Sequence, residues 1–523
     1  MNTFAHDGTL PALPIPTLYS LCSSLPSLAA PLLDEDELAA TLSALNDFVN
    51  PGGAGEILHQ ALLDYRDGLG GNASWLRPLW DDMYLNWRGP LPLEMNYFFR
   101  FETERLGRDE ALPRLILGLA RAAGQLGAAR LEPESIRTGY QSMDQAQSML
   151  YTRVPASGTD VLLSARLSGR QTIAVLCLGQ CYIVPLHDET GGMLTGERLA
   201  VELREIRLHA ATLPAAPGIA AMTAARREQA AGLRTALLAC RRNRLNLAAI
   251  ERALFMVCLD PAHGSDDELA RALLAGPADN RWFDKSLQII ATENNGLGAN
   301  FEHAGCDAGI WAWLLTKVES ELLEQEEAVK KDEPGESGSP ALAASASRPG
   351  FKHLDWDVSE AVREELHSLR GEFAAKADGI ELACGNFPAF GREGLKSLRT
   401  SPDAFLQIAF QAAQYAVFGR LRSCYEAVSM RGYAEGRTEC ARSSTASALA
   451  FAKGMQQGEA PGKMGELYRM SERSHPNRLV RCQRGRGTER HIYGLQYTFQ
   501  QHDPEPGLNE PPALFTDPGW KAI

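Results

Sequence analysis

The chain has 523 residues, 45% hydrophobic and 22% charged, which fits a globular protein of two to four domains and excludes a mainly disordered, collagenous or coiled-coil chain. Its 52 Lys and Arg face 65 Asp and Glu, a formal net charge of −13, so binding nucleic acid by bulk charge is disfavoured and an anionic ligand would need a local basic cluster. Ten cysteines with no CxxC pair point to reduced thiols inside a cell, no apolar run reaches the roughly 18 to 20 residues of a membrane span, and the N-terminus carries neither a secretory signal nor a transit-peptide pattern.

The first fifteen residues, rich in proline and small side chains, read as an extended arm. Asp34 then caps a helix with apolar positions Leu38, Leu42, Leu45 and Phe48, stopped by Pro51-Gly52-Gly53. A second helix passes through Ile57, Leu58 and Leu62, followed by the aromatic-rich stretch Trp75 to Trp87. Between 160 and 305 two hairpins are expected. Thr172 to Leu178 and Cys181 to Leu186 flank Gly179-Gln180, and Leu287 to Thr292 and Leu297 to His303 flank Asn294-Asn295-Gly296. Helices are expected over Ala220 to Cys240 and Leu245 to Met256. This mixture defines an α/β or α+β fold.

Residues 319 to 350 pass from ESELLEQEEAVKKDE to PGESGSPALAASASRPG, a linker or surface insertion and the clearest domain boundary. Beyond it, helices are predicted at Ser359 to Phe373 and from Ser401-Pro402-Asp403 to Leu421, the latter with the apolar set Phe405, Ile408, Phe410, Ala413 and Val417. The expected organisation is an N-terminal arm and helical segment over 1–90, a domain over 91–325, a linker over 326–350 and a second domain over 351–523.

There is no Walker loop, HExxH, GxSxG or zinc constellation, so no metal ligands are assigned. Single polar residues such as His303, at a strand end beside Phe301, read by themselves as structural. As a set they resemble one family. RWFDKSLQII (Arg281 to Ile290) followed by ENNGLGANFEHAGCDA (Glu293 to Ala308) is similar to the strand and catalytic-histidine signature of the choline/carnitine O-acyltransferases. LPALPIPTL, WLRPLWDDMYL, SMDQAQSMLYTRVP, NRLNLAAIERALFMVCLD, SPDAFLQIAFQAAQYAVFGRLRSCYE and EGRTECARSS match in the same order.

The resemblance implies a two-domain CoA-dependent acyltransferase fold, chloramphenicol acetyltransferase-like, with a tunnel between the domains that CoA and carnitine enter from opposite sides. The reaction would be reversible acyl transfer between the CoA thiol and the carnitine hydroxyl, without metal, permanently bound cofactor or covalent intermediate. One near-neutral base serves both directions, and imidazole suits that task. By motif position the base is His303. Asp307, where the family carries an acidic residue, either orients the imidazole or a neighbour, or starts a helix.

For the carnitine carboxylate the motifs imply Tyr425 (YE), Thr438 (GRT) and Arg490 (RH). Choline enzymes lose the last two, so their presence favours carnitine over choline. For CoA, FGREGLKSLRTSPD implies Arg392 and Lys396 at the 3′-phosphate and Asp403 near the adenine; this is the local basic cluster that the net charge required. Two departures stand out. Ala427 replaces a hydroxyl residue that assists at the carnitine carboxylate. ALFTDPGWKAI ends where the family continues into a Ser-Thr-Ser strand, so the C-terminal domain is expected to be incomplete, at a cost on the order of 100- to 1000-fold if an oxyanion donor is lost.

Two readings follow: a carnitine acyltransferase represented by a shortened chain, or a catalytically dead relative that binds CoA or a protein. A choline acetyltransferase is a further alternative. The wording around His303, with GIAAMT, EGRTE and ALFTDP, is closer to octanoyl- than to acetyl-transferring members, which makes a medium chain the expected acyl group and acetyl the runner-up. The implied setting is fatty acid metabolism in an intracellular compartment, peroxisomal or cytoplasmic, with the mitochondrion as a further option. A monomer is the default.

Overall fold

The computed structural model describes residues 2–102, 107, 110–332, 350–501 and 508–523, with 325–332 described as backbone. The chain divides into two compact units. The first comprises Met1–Ala5, Asp81–Glu134 and Met143–Cys384, the second His6–Trp80, Ser135–Ser142 and Gly385–Ile523. Of the linker expected over 326–350, residues 333–349 lie outside the described residues. Its opening residues are helical, because the helix that follows the His303 segment runs over Ala308–Asp332.

The first unit is organised by a seven-stranded mixed sheet. In chain order its strands are β1 (Tyr97–Arg100), β2 (Thr172–Cys177), β3 (Gln180–Pro185), β4 (Met256–Asp260), β5 (Leu287–Thr292), β6 (Leu297–Phe301) and β7 (Lys352–His353). Across the sheet the order is β1-β6-β5-β4-β2-β3-β7, with β4 parallel to both β2 and β5 and the other neighbours antiparallel. Both faces are covered, which explains the continuous apolar strands. Ile173, Val175, Val257 and Ile289 face one core, while Ala174, Leu176, Met256, Cys258 and Ile290 face the other. Each fully buried Val, Leu or Ile contributes about 1.5–3 kcal/mol.

Three expectations are corrected here. The helix predicted over Ala220 to Cys240 is a 3₁₀ turn Ile219–Ala224 followed by the helix Arg227–Leu238, because Ala225 and Arg226 take extended backbone. The helix predicted to reach Met256 ends at Arg252, and Met256 opens the central strand β4, buried at all five positions. The β2–β3 turn lies one residue earlier than predicted. Cys177 pairs with Gln180, so the turn residues are Leu178 and Gly179, with φ 51° and 74°, the two positive values of a type I′ hairpin.

The β5–β6 hairpin also differs in detail from a two-residue Asn-Gly turn. Thr292 N donates to Gly296 O at 2.9 Å, and Asn295 rather than Gly296 takes the left-handed conformation, at φ 66°. This is a three-residue loop, fixed by Gly296 N donating to Thr292 Oγ1 at 2.8 Å.

The second unit is mainly helical around a two-stranded ribbon, β8 (Tyr425–Ser429) and β9 (Thr438–Arg442). Asp34 caps the helix Glu35–Val49 in a capping box: Glu37 N donates to Asp34 Oδ1 at 2.9 Å and Asp34 N to Glu37 Oε2 at 3.1 Å. Ser401 caps the helix Pro402–Phe418, which ends at the left-handed Gly419. The apolar set predicted for that helix does not form one buried face. Ala404, Ile408 and Gln411 are buried, whereas Phe410 and Val417 are 59% and 72% exposed. Apolar residues surround most of this helix, and only the i, i+4, i+7 stripe starting at Ala404 is covered.

Candidate active site

His303 follows β6 by two residues in the first unit. Its ring stacks on Tyr84, with centroids 5.2 Å apart, and meets Tyr97 edge-on at 5.1 Å. The side chain is 27% exposed, and its Nδ1 lies 3.9 Å from Asp307 Oδ1. That is an ion-pair separation, longer than a hydrogen bond. Asp307 itself is gripped by Gln145, whose Nε2 donates to Oδ2 at 2.9 Å and whose Oε1 accepts from Asp307 N at 2.8 Å. Asp307 also directly precedes the helix Ala308–Asp332.

The residue before His303 anchors its loop. The Glu302 carboxylate accepts from Arg153 Nη1 at 3.0 Å, from Ala304 N at 3.0 Å and from the Tyr151 hydroxyl. Gly305 N in turn donates to Tyr151 Oη at 2.9 Å. Arg153 Nη2 donates to Tyr84 O at 2.5 Å, so one guanidinium holds both the His303 loop and the ring stacked on it. Burial, reinforced by Glu302, pushes the Tyr151 phenol well above its ordinary range, which keeps it a donor.

Behind this lies a buried network. Asp160 receives Arg88, Arg153 and Arg227, each at 2.7 Å, and Arg227 also pairs with Asp284 at 2.7 Å. Burial raises the Asp160 pKa, but Arg227 and Arg153 outweigh it and hold the carboxyl below its ordinary value. Burial pushes Asp284 up to about 6. Sequence reasoning missed Glu302, Arg153, Asp160, Arg227 and Asp284. Glu302, Arg153 and Asp284 lie inside the motif strings that carry the family resemblance, and Asp160 and Arg227 carry no local signal.

In the second unit Tyr425, Thr438 and Arg490 are brought together. Arg490 Nη2 donates to Tyr425 Oη at 3.1 Å and Nε to Thr438 O at 3.1 Å. Its guanidinium lies 4.3 Å from the Trp80 ring centroid and pairs with Glu489 at 3.0 Å. The ribbon register sets Tyr425 opposite Arg442 and Thr438 opposite Ser429, at the two ends of the ladder, and Arg490 spans them. Ala427 is exposed on β8 between the two ends.

Glu439, beside Thr438, is buried, and its Oε1 accepts from Cys440 N at 2.8 Å and Arg490 N at 3.3 Å. Burial pushes its carboxyl up to about 7 against the pull of Arg490. Between its ordinary 4.5 and about 7 the folded state holds a proton that the unfolded state has released, so this group makes stability fall as pH rises through that window. Glu439→Gln removes the slope. The difference in Tm between variant and wild type should therefore grow in the variant's favour from pH 5 to pH 8, and a pH-independent difference would refute the assignment.

Arg392 and Lys396 lie one turn apart on the helix Arg392–Ser397, both exposed, with Lys396 Nζ 3.0 Å from Glu393. Asp403 makes its side-chain contact elsewhere. Its Oδ2 meets His475 Nε2 at 2.8 Å, and Glu426 Oε1 lies 3.5 Å from the same nitrogen. Among the described residues these three place donor atoms within 4.8 Å of one another. Burial raises the Glu426 pKa, with His475 opposing and Asp403 reinforcing. We read the group as a hydrogen-bonded anchor that ties the helix start at Asp403 to the strand carrying Tyr425.

This is a mixed α/β protein with an imidazole between two tyrosine rings and a separate arginine–tyrosine–threonine cluster. A profile of the choline/carnitine O-acyltransferase family matches residues 13–523, and the chain belongs to that family. It is 30% identical to the muscle isoform of carnitine O-palmitoyltransferase 1 from Homo sapiens, over 94% of this chain and 64% of the relative. It is 28% identical to the peroxisomal carnitine O-octanoyltransferase of Rattus norvegicus, over 99% and 84%. With the carnitine O-acetyltransferase of the same species it shares 26% identity over 94% and 79%. The chain thus spans about 64% of the length of the palmitoyltransferase relatives. Among the described residues no helix is long and apolar enough to cross a membrane.

Proposed function

We propose that this chain is a carnitine O-acyltransferase, moving an acyl group reversibly between CoA and carnitine with His303 as general base. The imidazole takes the proton of the carnitine hydroxyl as that oxygen attacks the thioester carbonyl. When the tetrahedral intermediate collapses, the C–S bond breaks and the imidazolium returns the proton to the CoA sulfur. Glu302, held by Arg153 and Tyr151, fixes the loop that carries the imidazole. Arg392 and Lys396 are assigned to the CoA phosphate and Asp403 to its adenine end.

The observation that carries the reading is the convergence of Tyr425, Thr438 and Arg490, which sets a buried guanidinium beside an exposed phenol and the Trp80 face, a pair of donors whose chemistry suits a carboxylate. Choline offers no carboxylate to such a cluster. A medium-chain acyl group is our first choice and acetyl our second, and similarity to the palmitoyltransferases adds long chains to the test. Similarity to the peroxisomal enzyme supports a peroxisomal setting.

The test is thiol release from acetyl-, octanoyl- and palmitoyl-CoA, with carnitine and choline offered separately to the folded chain. Carnitine-dependent release that is fastest with octanoyl-CoA is expected. A folded chain that releases no thiol with any pair would overturn the enzymatic reading in favour of a CoA- or protein-binding relative. Arg490→Gln should raise the carnitine KM by about tenfold or more with a smaller change in kcat, since a charge-assisted hydrogen bond to a carboxylate is lost. Unchanged carnitine dependence in that variant would remove the case against choline.

A further inference from the structure

A cavity of about 720 Å³ in the second unit has no place in the acyl-transfer reading. Pro14, Ile15 and Pro16 form one side and Arg481, Arg484 and Arg486 the other, and no acidic residue lines it. The volume falls within the range of small-molecule pockets.

Local geometry builds this cavity. The helix Pro461–Gln483 ends in a Schellman turn, in which Arg486 N donates to Arg481 O at 3.0 Å and Gly485 N to Cys482 O at 2.8 Å. Gly485 takes φ 65°, and a Cβ there would lie 2.6 Å from the Pro14 ring, so glycine is what lets the proline wall close on the turn. Arg481 is held in place, its Nε donating to Arg486 O at 2.9 Å and its Nη2 to Ser20 O at 3.4 Å. Arg484 and Arg486, on either side of Gly485, are exposed, and among the described residues neither has a carboxylate partner.

Basic side chains at a helix C-terminus offset the partial negative charge of its last carbonyls, which amounts to about half an elementary charge. One arginine suffices for that, and Arg481 is already committed to the backbone. Two further guanidinium forks beside an apolar wall, in a chain of net charge −13, exceed what capping needs. Planar guanidinium pairs match phosphate oxygens bidentately. We infer that this cavity binds a phosphate-bearing anion, either a free polyphosphate or the headgroup of an anionic lipid.

Tripolyphosphate titrated calorimetrically into the full chain at low salt is the first arm. Co-sedimentation with phosphatidylcholine vesicles, with and without phosphatidate, is the second. Arg484→Gln with Arg486→Gln should weaken binding by about tenfold or more, whereas Arg392→Gln with Lys396→Gln should leave it near wild type. Loss confined to the first arm identifies a free phosphate ligand, and loss confined to the second a lipid headgroup; either supports the site. Equal binding by the double glutamine variant, or binding in neither arm, overturns it. Carnitine-dependent thiol release by the same double variant should stay at the wild-type level, so failure here is distinguishable from failure of the acyltransferase reading.

Discussion

Replacing His303 with alanine lowers carnitine-dependent thiol release by on the order of 10²- to 10⁴-fold while leaving the fold intact, since a positioned general base accounts for that much of the rate. The side chain makes ring contacts with Tyr84 and Tyr97 at its partly exposed position, and the loop is anchored through its neighbour Glu302. Loss of the imidazole therefore removes chemistry rather than the scaffold. Asp307→Asn should cost less, because at 3.9 Å from Nδ1 the carboxylate acts on the imidazole through space and asparagine can still accept from Gln145. Wild-type turnover by the His303→Ala variant would sink the assignment, and circular dichroism on the same sample excludes misfolding as the cause of a loss.

Asp160→Ala should be the most destabilising single change in the first unit, by about 3–5 kcal/mol. Removing one member of a buried charge network leaves its partners charged and unpaired. Here one carboxylate serves Arg88, Arg153 and Arg227, and Arg153 and Arg227 are fully buried. Arg153 also holds Glu302 and the Tyr84 carbonyl, so the loss should reach turnover as well as stability. Thermal denaturation followed by circular dichroism measures the first effect and thiol release the second. An unchanged Tm would show that the three guanidiniums find other partners.

What was legible in the sequence depended on how local its cause was. The Asp34 and Ser401 caps act within a turn of the chain, and both helices begin where those residues place them. The two hairpins were legible from their turn residues, though the first turn sits one residue early at Leu178-Gly179, and in the second Asn295 alone of the Asn295-Gly296 pair takes the left-handed conformation. β4 was not legible, because ALFMVCLD continues the apolar content of the preceding helix and only the neighbours β2 and β5 decide that Met256–Asp260 pairs as a strand.

At the candidate site, His303, Tyr425, Thr438 and Arg490 are singled out by the roles that the family-like strings imply for them. Arg153 and Glu302 stand in such strings too, but nothing local says that they pair. Arg153 and Glu302 are 149 positions apart and Asp160 and Arg227 are 67 apart, and Coulomb attraction over such separations leaves no mark on periodicity or composition. The exposure of Phe410 and Val417 was equally hidden, since their spacing fits a buried stripe as well as an uncovered one.

The way the arginine–carboxylate network is assembled bears on when the protein becomes competent during folding. Its members come from positions 84, 88, 153, 160, 227, 284 and 302. Contacts of such long sequence separation form only after the intervening loops have closed, and they form slowly. Met256 of β4 and its partner Gln288 of β5 are 32 positions apart, so this pair closes a far shorter loop than the 149 positions between Arg153 and Glu302, and the imidazole loop gains its anchor later. Recovery of turnover after dilution from denaturant should then lag behind recovery of far-ultraviolet ellipticity, so that activity reports the last charges to be buried rather than the first strands to pair.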